Sequence, residues 1–499
     1  MSISNEFKNV FMPSDTNGTG FWRALMAIEM SWAFSPEESK VNNSVICKLV
    51  ENENFYRDLN MFMVQRLLAN GHEAVFNELI ARYSNLFGFW TVFNIDDLTD
   101  GQKIPLYNRG RRAFANKKHQ ENIRAMMNNS DFILTTTEYL KNEFRKTYDI
   151  PAENIICIPN LLPRWWIGNY YNNEKATENF RNNKTGNHGK TKNKIRIGII
   201  SSMSHYNFIK LKVTKSGQVI YPETEEVDSL EPDKLGKEKK VVYYVDNYET
   251  GEISTVSEEE YKAADNIPDD FDTVLDVIEK TIDDFTWVFV GYIPERLRPY
   301  AEQKKIEVYS CVNIMNYPAM ISQLQLNAIL APLISDSDFN KSKTHIKYLE
   351  ACALGILLYA PDMITYSPYM PKDQLYSSQD DLYEKLRKLK DMSANVFSKK
   401  LETQWRWLNS PTVESNWRLN NWWLEDNMWL WFKLFRMQKK AIPVSVKKYC
   451  EIQRKKLQKD AENAQIMLAR QKDLEALKKI NDAKVVIFED KENDIEIAV

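Results

Sequence analysis

Short apolar runs alternate with segments of helical period through most of this chain, and the alternation starts over once. NVFMP (Asn9 to Pro13) reads as a buried strand; the polar turn SDTNGTG and the helix-spaced FWRALMAIEMSWAF follow it. Further strands are expected at SVICKLV, NMFMVQR, FWTVFNI, DFILTTT and NIICIPN, with the helix EYLKNEFRKTY between the last two. That rhythm implies parallel strands, because a parallel pair needs a crossover long enough to hold a helix. Residues 167–193 hold Asn, Lys, Gly and Thr but almost no aliphatic side chain, so a linker is expected there. KIRIGIISS then restarts the series, which continues through TVLDVIEKTI, TWVFVG, IEVYS, YPAMISQL, LNAILAPL, THIKYLEACALG and ILLYA.

An α/β chain of two Rossmann-like parallel-sheet domains follows, residues 1–166 and 194–400, facing a cleft at the carboxyl ends of their strands. Its length of 499 residues is more than one core organises. An acidic and basic interruption at about 209–267 reads as an insertion on the second domain. It carries a hairpin, VVYYVDNYETGEISTVS, with Glu249, Thr250 and Gly251 near its turn. After the second domain come Trp-rich crossover helices at 401–440, then a charged helix and an acidic tail at 441–499. Trp405, Trp407, Trp417, Trp422, Trp423, Trp429 and Trp431 share that one Trp-rich stretch, in a chain with 13 tryptophans. Packing against the body of the protein and stacking on bases or sugar rings are both open to them. The basic helix suits self-association or an anionic polymer.

Composition excludes several classes. Hydrophobic residues at 43% and charged residues at 27% do not fit a disordered or collagenous chain. Lys plus Arg total 66 against 69 acidic residues, which argues against a simple nucleic-acid coat. The five cysteines stand singly, with no C-x-x-C pair and no histidine at zinc spacing, so a reducing compartment is expected and a structural metal is not. The start, MSISNEFKNVFMPSD, lacks the basic-then-apolar order of a signal peptide, and no apolar run reaches the roughly 18 residues of a membrane span. A cytoplasmic protein is expected, in the host cytoplasm if the chain is viral.

Several residues stand where α/β proteins place chemistry. Asp96 and Asp97 end the FWTVFNI strand, where they are either catalytic or a cap of the next segment. Gly18 and Gly20 form a turn after the first strand without the third glycine of a dinucleotide fingerprint. His205 follows KIRIGIISS and a Ser-rich turn, as a cleft residue or a plain cap. Lys341 and Lys343 are expected to open the helix that holds Glu350; they are a solvated helix start or an anion site. The loop IPLYNRGRRAF brings Arg109, Arg111 and Arg112 beside Tyr107, as a surface charge run or an anion contact.

The stretch LNAILAPLISDSDFNKSKTHIKYLEACALGILLYAPD (Leu326 to Asp362) resembles the donor-site signature of GT-B glycosyltransferases, in particular retaining family 4 and its phage-encoded relatives. GTGFWR, TVFNIDDL, SDFILTTTEYLKNEF, KIRIGIISSMSH and TWVFVG are similar to other family segments in the same order, together covering most of residues 10–370. The resemblance implies an EC 2.4 glycosyltransferase, with a nucleotide-sugar such as UDP-glucose as co-substrate and no required metal. Gly18, Gly20, Arg23, Asn340, Lys341, Ser342, Lys343 and Glu350 would bind the donor, and Asp96, Asp97, His205 and Asp338 would be catalytic. Glu350 matches the family glutamate that holds the ribose, whereas the glutamate expected seven residues earlier is Ser342 here. Either Asp336 or Asp338 substitutes from the preceding loop, or the sugar is held differently. The acceptor is a glycan, a protein or DNA, including a modified base of phage DNA. A non-catalytic binding protein with the same shell is the alternative.

Overall fold

The computed structural model describes residues 6–13, 23, 40–45, 50, 52–66, 76–108, 110–160, 162, 166, 169–185, 194–201, 203–207, 210–228, 237–246 and 252–409. Six short strands build the first sheet: β1 (Glu6–Met12), β2 (Lys40–Val45), β3 (Leu59–Gln65), β4 (Trp90–Asn94), β5 (Phe132–Thr135) and β6 (Ile155–Cys157). Their order is β2-β1-β3-β4-β5-β6, and every neighbouring pair is parallel. Strands β3, β4 and β5 are buried along their whole length, as strands covered by helices on both faces must be. The amphipathic helices α1 (Lys117–Asn129) and α2 (Glu138–Tyr148) supply part of that cover through Ile123, Met126, Leu140 and Phe144.

The second sheet repeats the plan. Strands β7 (Arg196–Ser201), β13 (Thr286–Gly291), β14 (Ile306–Tyr309), β15 (Ala328–Leu330), β16 (Leu357–Pro361) and β17 (Leu375–Tyr376) run parallel in the order β14-β13-β7-β15-β16-β17. The expected α/β architecture of two Rossmann-like sheets is therefore present. In each sheet the strand order reverses beside one strand, β1 in the first and β7 in the second, and ligands of open α/β sheets sit in such crevices. A hydrophobic cluster runs from Phe11, Met63 and Trp90 of the first domain through Ile158 and Trp166 to Val290, Tyr348 and Leu358 of the second.

Between β7 and β13 the insertion forms its own sheet: β8 (Lys212–Val213), β9 (Val219–Asp228), β10 (Lys237–Asp246), β11 (Ile253–Val256) and β12 (Asp265–Asn266). It is antiparallel, in the order β11-β10-β9-β8-β12, and β10 pairs with β11 as the expected hairpin requires, with Tyr243 opposite Val256. Its apolar face, Leu211, Val219, Tyr221 and Ile267, packs on Tyr107 of the first domain.

The stretch expected as a linker differs from that expectation, because it contains helix α3 (Asn173–Thr185). One aromatic suffices to dock it: Phe180 stacks on Phe397 of the C-terminal helix described below, with ring centroids 4.1 Å apart and planes 6° from parallel. Its polar residues are satisfied by pairing, as where Asn183 Nδ2 donates to Asn327 Oδ1 at 2.9 Å.

Further helices include α4 (Leu275–Lys280), α5 (Tyr317–Gln323), α6 (Asp338–Lys341), α7 (Ile346–Leu354), α8 (Gln379–Asp391) and α9 (Ala394–Leu408). Helix α9 carries Trp405, stacked on Tyr171 at 4.0 Å, and Trp407, whose ring lies 4.7 Å from that of Tyr348. Both pack on the second domain. The rest of the Trp-rich stretch, Gly18, Gly20, Arg109 and the charged C-terminal helix lie outside the described residues. No described helix is long and apolar enough to cross a membrane.

Candidate functional site

Parallel strands present their carboxyl ends together, and here the ends of β3, β4 and β7 face the segment joining α6 to α7. Arg66 immediately follows β3, and a left-handed backbone, unusual for a side chain with a Cβ, sets its direction (φ 49°). Its guanidinium lies 2.9 Å from Asp96 Oδ1 and also pairs with Asp97. Asp97 in turn lies 3.3 Å from Lys343 Nζ of the second domain. The two aspartates at the end of β4 thus do more than cap a segment: they meet cations from both domains.

Lys343 does not open the long helix, which corrects the expected boundary. Ser337 caps the short α6 through the Asn340 N–H, and α7 starts only at Ile346. Lys343 lies in the bend between them, its ammonium 4.2 Å above the Phe339 ring. Burial, with Arg66 close by, pushes its pKa down to about 8, although Asp96 and Asp270 pull the other way. In the first turn of α7, Lys347 donates to the Ile200 carbonyl of β7 and is likewise lowered, chiefly by burial. Glu350 accepts from Tyr317 Oη at 3.1 Å, and burial raises its carboxyl to about 7 against the pull of Lys347.

The turn after β7 completes the site. His205 Nδ1 lies 2.8 Å from Oδ2 of Asp270, a carboxylate fully excluded from solvent, and burial lowers the imidazole pKa. Asp270 Oδ1 also accepts from Asn340 Nδ2 and from the Ile334 N–H, each at 2.7 Å. Asn340 is thus a buried brace of the second domain. Gly291, at the end of β13 with φ +100°, could not be replaced cheaply: a Cβ there would sit 2.7 Å from the Ser201 carbonyl.

Other expected residues take interdomain or bracing positions. Asp338 accepts from Tyr139 Oη of the first domain at 2.6 Å, and Ser342 turns its hydroxyl back to the Phe339 carbonyl at 2.7 Å. The Ser342 carbonyl accepts from Thr137 Oγ1 at 3.1 Å. Lys341 donates to the Asp336 carbonyl at 3.1 Å, away from the Asp97 contact, and Asp336 itself is exposed. Arg23 is buried across the ends of three strands: it donates to Asn94 Oδ1 at 3.0 Å, the Ile158 carbonyl at 2.6 Å and the Thr135 carbonyl at 3.4 Å. Burial brings its pKa down to about 10.

The structure therefore brings together Asp96, Asp97, His205, Lys343 and Glu350 from the expected set, and adds Arg66, Asp270, Tyr317 and Lys347. Arg66 was detectable as the cation at the end of an apolar strand. Asp270 had no local signal, since its histidine partner is 65 residues away. Chemically, three cations set among carboxylates, of which Asp270 is fully buried, can bind an anion and neutralise charge that develops on it. Among the described residues no three His, Cys, Asp or Glu side chains form a metal-holding group.

No family model matches the chain, and no curated protein matches it. Solved structures similar to it include a glycosyltransferase from Rickettsia africae at 10% identity and TM-score 0.47, covering 88% of this chain and 100% of that one. Anabaena HepE in complex with UDP-glucose is similar at 10% identity and TM-score 0.41, over 81% of this chain and 98% of its own. The wall teichoic acid polymerase TagF is similar at 10% identity and TM-score 0.35, over 87% and 88%. These likenesses are too distant to carry a function, which rests on the geometry of the cleft.

Proposed function

We propose that the chain is a glycosyltransferase that binds a nucleotide-sugar between its two sheets and transfers the sugar to an acceptor. The observation that carries this reading is one segment, residues 343–350, which aims two partly desolvated ammoniums and a carboxyl at the strand-end crevice. Lys343 and Lys347 meet the diphosphate, and ionised Glu350 accepts from the ribose hydroxyls. As the bond from the anomeric carbon to the phosphate oxygen breaks, its electron pair goes to the diphosphate, and the cations hold that charge without a metal. The acceptor oxygen forms the new bond to the anomeric carbon and gives its proton to an oxygen of the departing diphosphate or to water. Retention and a UDP- or GDP-hexose donor, which the family-4 resemblance implies, and a cytoplasmic setting, which the singly placed cysteines suggest, are the finer form of the proposal.

The test is binding and turnover with a panel of UDP- and GDP-sugars. Lys343→Ala with Glu350→Ala should weaken nucleotide binding on the order of 100-fold or more, from two charge-assisted contacts of about 1.5–3 kcal/mol each. Unchanged binding would sink the assignment. Among acceptors, DNA is tested by duplex binding that falls steeply with salt; no binding at low salt leaves glycans and proteins. A second reading, a binding protein without turnover, is favoured by Ser342, whose hydroxyl is tied into its own turn where the resemblance has a glutamate. Full nucleotide-sugar binding with no transfer or hydrolysis would select it.

A further inference from the structure

Asp270 belongs to no motif, yet it is the most deeply buried carboxylate of the cleft. Its oxygens are divided between two tasks. Oδ1 accepts from the Ile334 N–H and the Asn340 amide, both at 2.7 Å, while Oδ2 faces His205 Nδ1 at 2.8 Å. A carboxylate already holding two donors is an acceptor, so the imidazole hydrogen belongs on Nδ1 and the lone pair on Nε2. No other hydrogen bond to the ring is found among the described residues. The turn that carries it lies at the domain boundary, where Asn108 Nδ2 of the first domain donates to the Ser204 carbonyl at 3.3 Å.

Charged groups act on this ring from three parts of the second domain. Asp270, from the segment after the insertion, favours the imidazolium; Lys343 and Lys347, from the α6–α7 bend and α7, oppose it, and burial opposes it most. A diphosphate that neutralises the two ammoniums removes their repulsion and leaves Asp270 to favour the charged ring.

We propose that Asp270 is a positioning residue that keeps His205 in the Nδ1–H form, so that Nε2 takes up a proton when a diphosphate enters the cleft. The inference rests on the donor-site reading of that cleft. The proton comes from solvent and bonds to the Nε2 lone pair, and Nε2–H then donates to a phosphate oxygen. During transfer it stays on the diphosphate that receives the electron pair of the broken glycosidic bond. His205 thus acts on the leaving group, and Asp270 acts through His205.

The test uses the full chain with 15N-labelled histidine, and His205→Gln identifies the signals of that ring. Free protein at about pH 7.5 should show Nδ1 protonated and Nε2 bare, and Asp270→Asn should move the hydrogen to Nε2, because an amide can donate to Nδ1. UDP, GDP or pyrophosphate, with occupancy followed by 31P signals, should protonate both nitrogens. Calorimetry in buffers of different ionisation enthalpy should show proton uptake larger in wild type than in His205→Gln by up to about one proton. An Nε2–H form in the free protein, or a bare Nε2 at full occupancy, overturns the proposal. If none of the probes binds, the donor-site reading falls and the uptake falls with it. Should Asp270→Asn fail to fold, the wild-type tautomer and the uptake decide.

Discussion

In the proposed donor site, Lys343 and Glu350 pull the pH dependence of nucleotide binding in opposite directions. The Glu350 carboxyl is raised to about 7, so below that pH it is neutral and loses its strength as an acceptor for the ribose hydroxyls. The Lys343 ammonium is lowered to about 8, so above that pH its positive charge is lost. Affinity for UDP or GDP should therefore rise as pH climbs to about 7 and fall beyond about 8, measured as Kd across that range. Lys343→Arg keeps its charge at high pH and should make the basic limb shallower, leaving the part that proton uptake at His205 supplies, with the acidic limb unchanged. A flat wild-type profile would count against both roles. These residues were legible in the sequence because a short segment holds them in order. Asp270 and the orientation of Ser342 were not, since a contact across 65 residues and a hydroxyl turned into its own turn leave no pattern in the chain.

The core strands were equally legible at the level of elements, because β3, β4 and β5 are buried on both faces and so read as nearly unbroken apolar runs. Helix α3 was hidden for the opposite reason. It buries Thr177, Phe180 and Asn183, of which only Phe180 is apolar, and composition alone made it look like a tether. The 4.1 Å stack on Phe397 makes Phe180 the anchor that ties the crossover to the C-terminal helix. Phe180→Ala should cost about 3–5 kcal/mol of stability, read as a lower urea midpoint at an unchanged m-value. A loss within a few tenths of a kcal/mol would show that the stack carries little.

Across the whole molecule, specific polar contacts join the two domains beside the hydrophobic cluster they share. Tyr139 reaches Asp338, Thr137 reaches the Ser342 carbonyl, and Asn160 Nδ2 donates to Thr344 Oγ1 at 3.3 Å. The Lys343–Asp97 pair differs from these, because its cation is the one proposed to meet the diphosphate. Asp97 therefore competes with an incoming anion. Asp97→Asn should tighten pyrophosphate binding several-fold, the effect of removing a partly exposed ion pair of about 1 kcal/mol. Weaker binding in the variant would show that Asp97 assists the anion.

The insertion also bears on how the chain folds. His205 and Asp270 are far apart along the backbone, and closing that span directly would be a slow, entropically costly search. The antiparallel strands between them shorten it. β10 pairs with β11 and with β9, β9 pairs with β8, and β8 pairs with β12, each a neighbour reached by zippering from a local turn or from the sheet already formed. Asn207 then locks the base of this ribbon, its amide donating to the Leu211 and Ile267 carbonyls at 2.7 and 3.1 Å. Once the ribbon has closed, the histidine and the aspartate are separated by only a few unformed residues, so this pairing across 65 residues is, in kinetic terms, a local one.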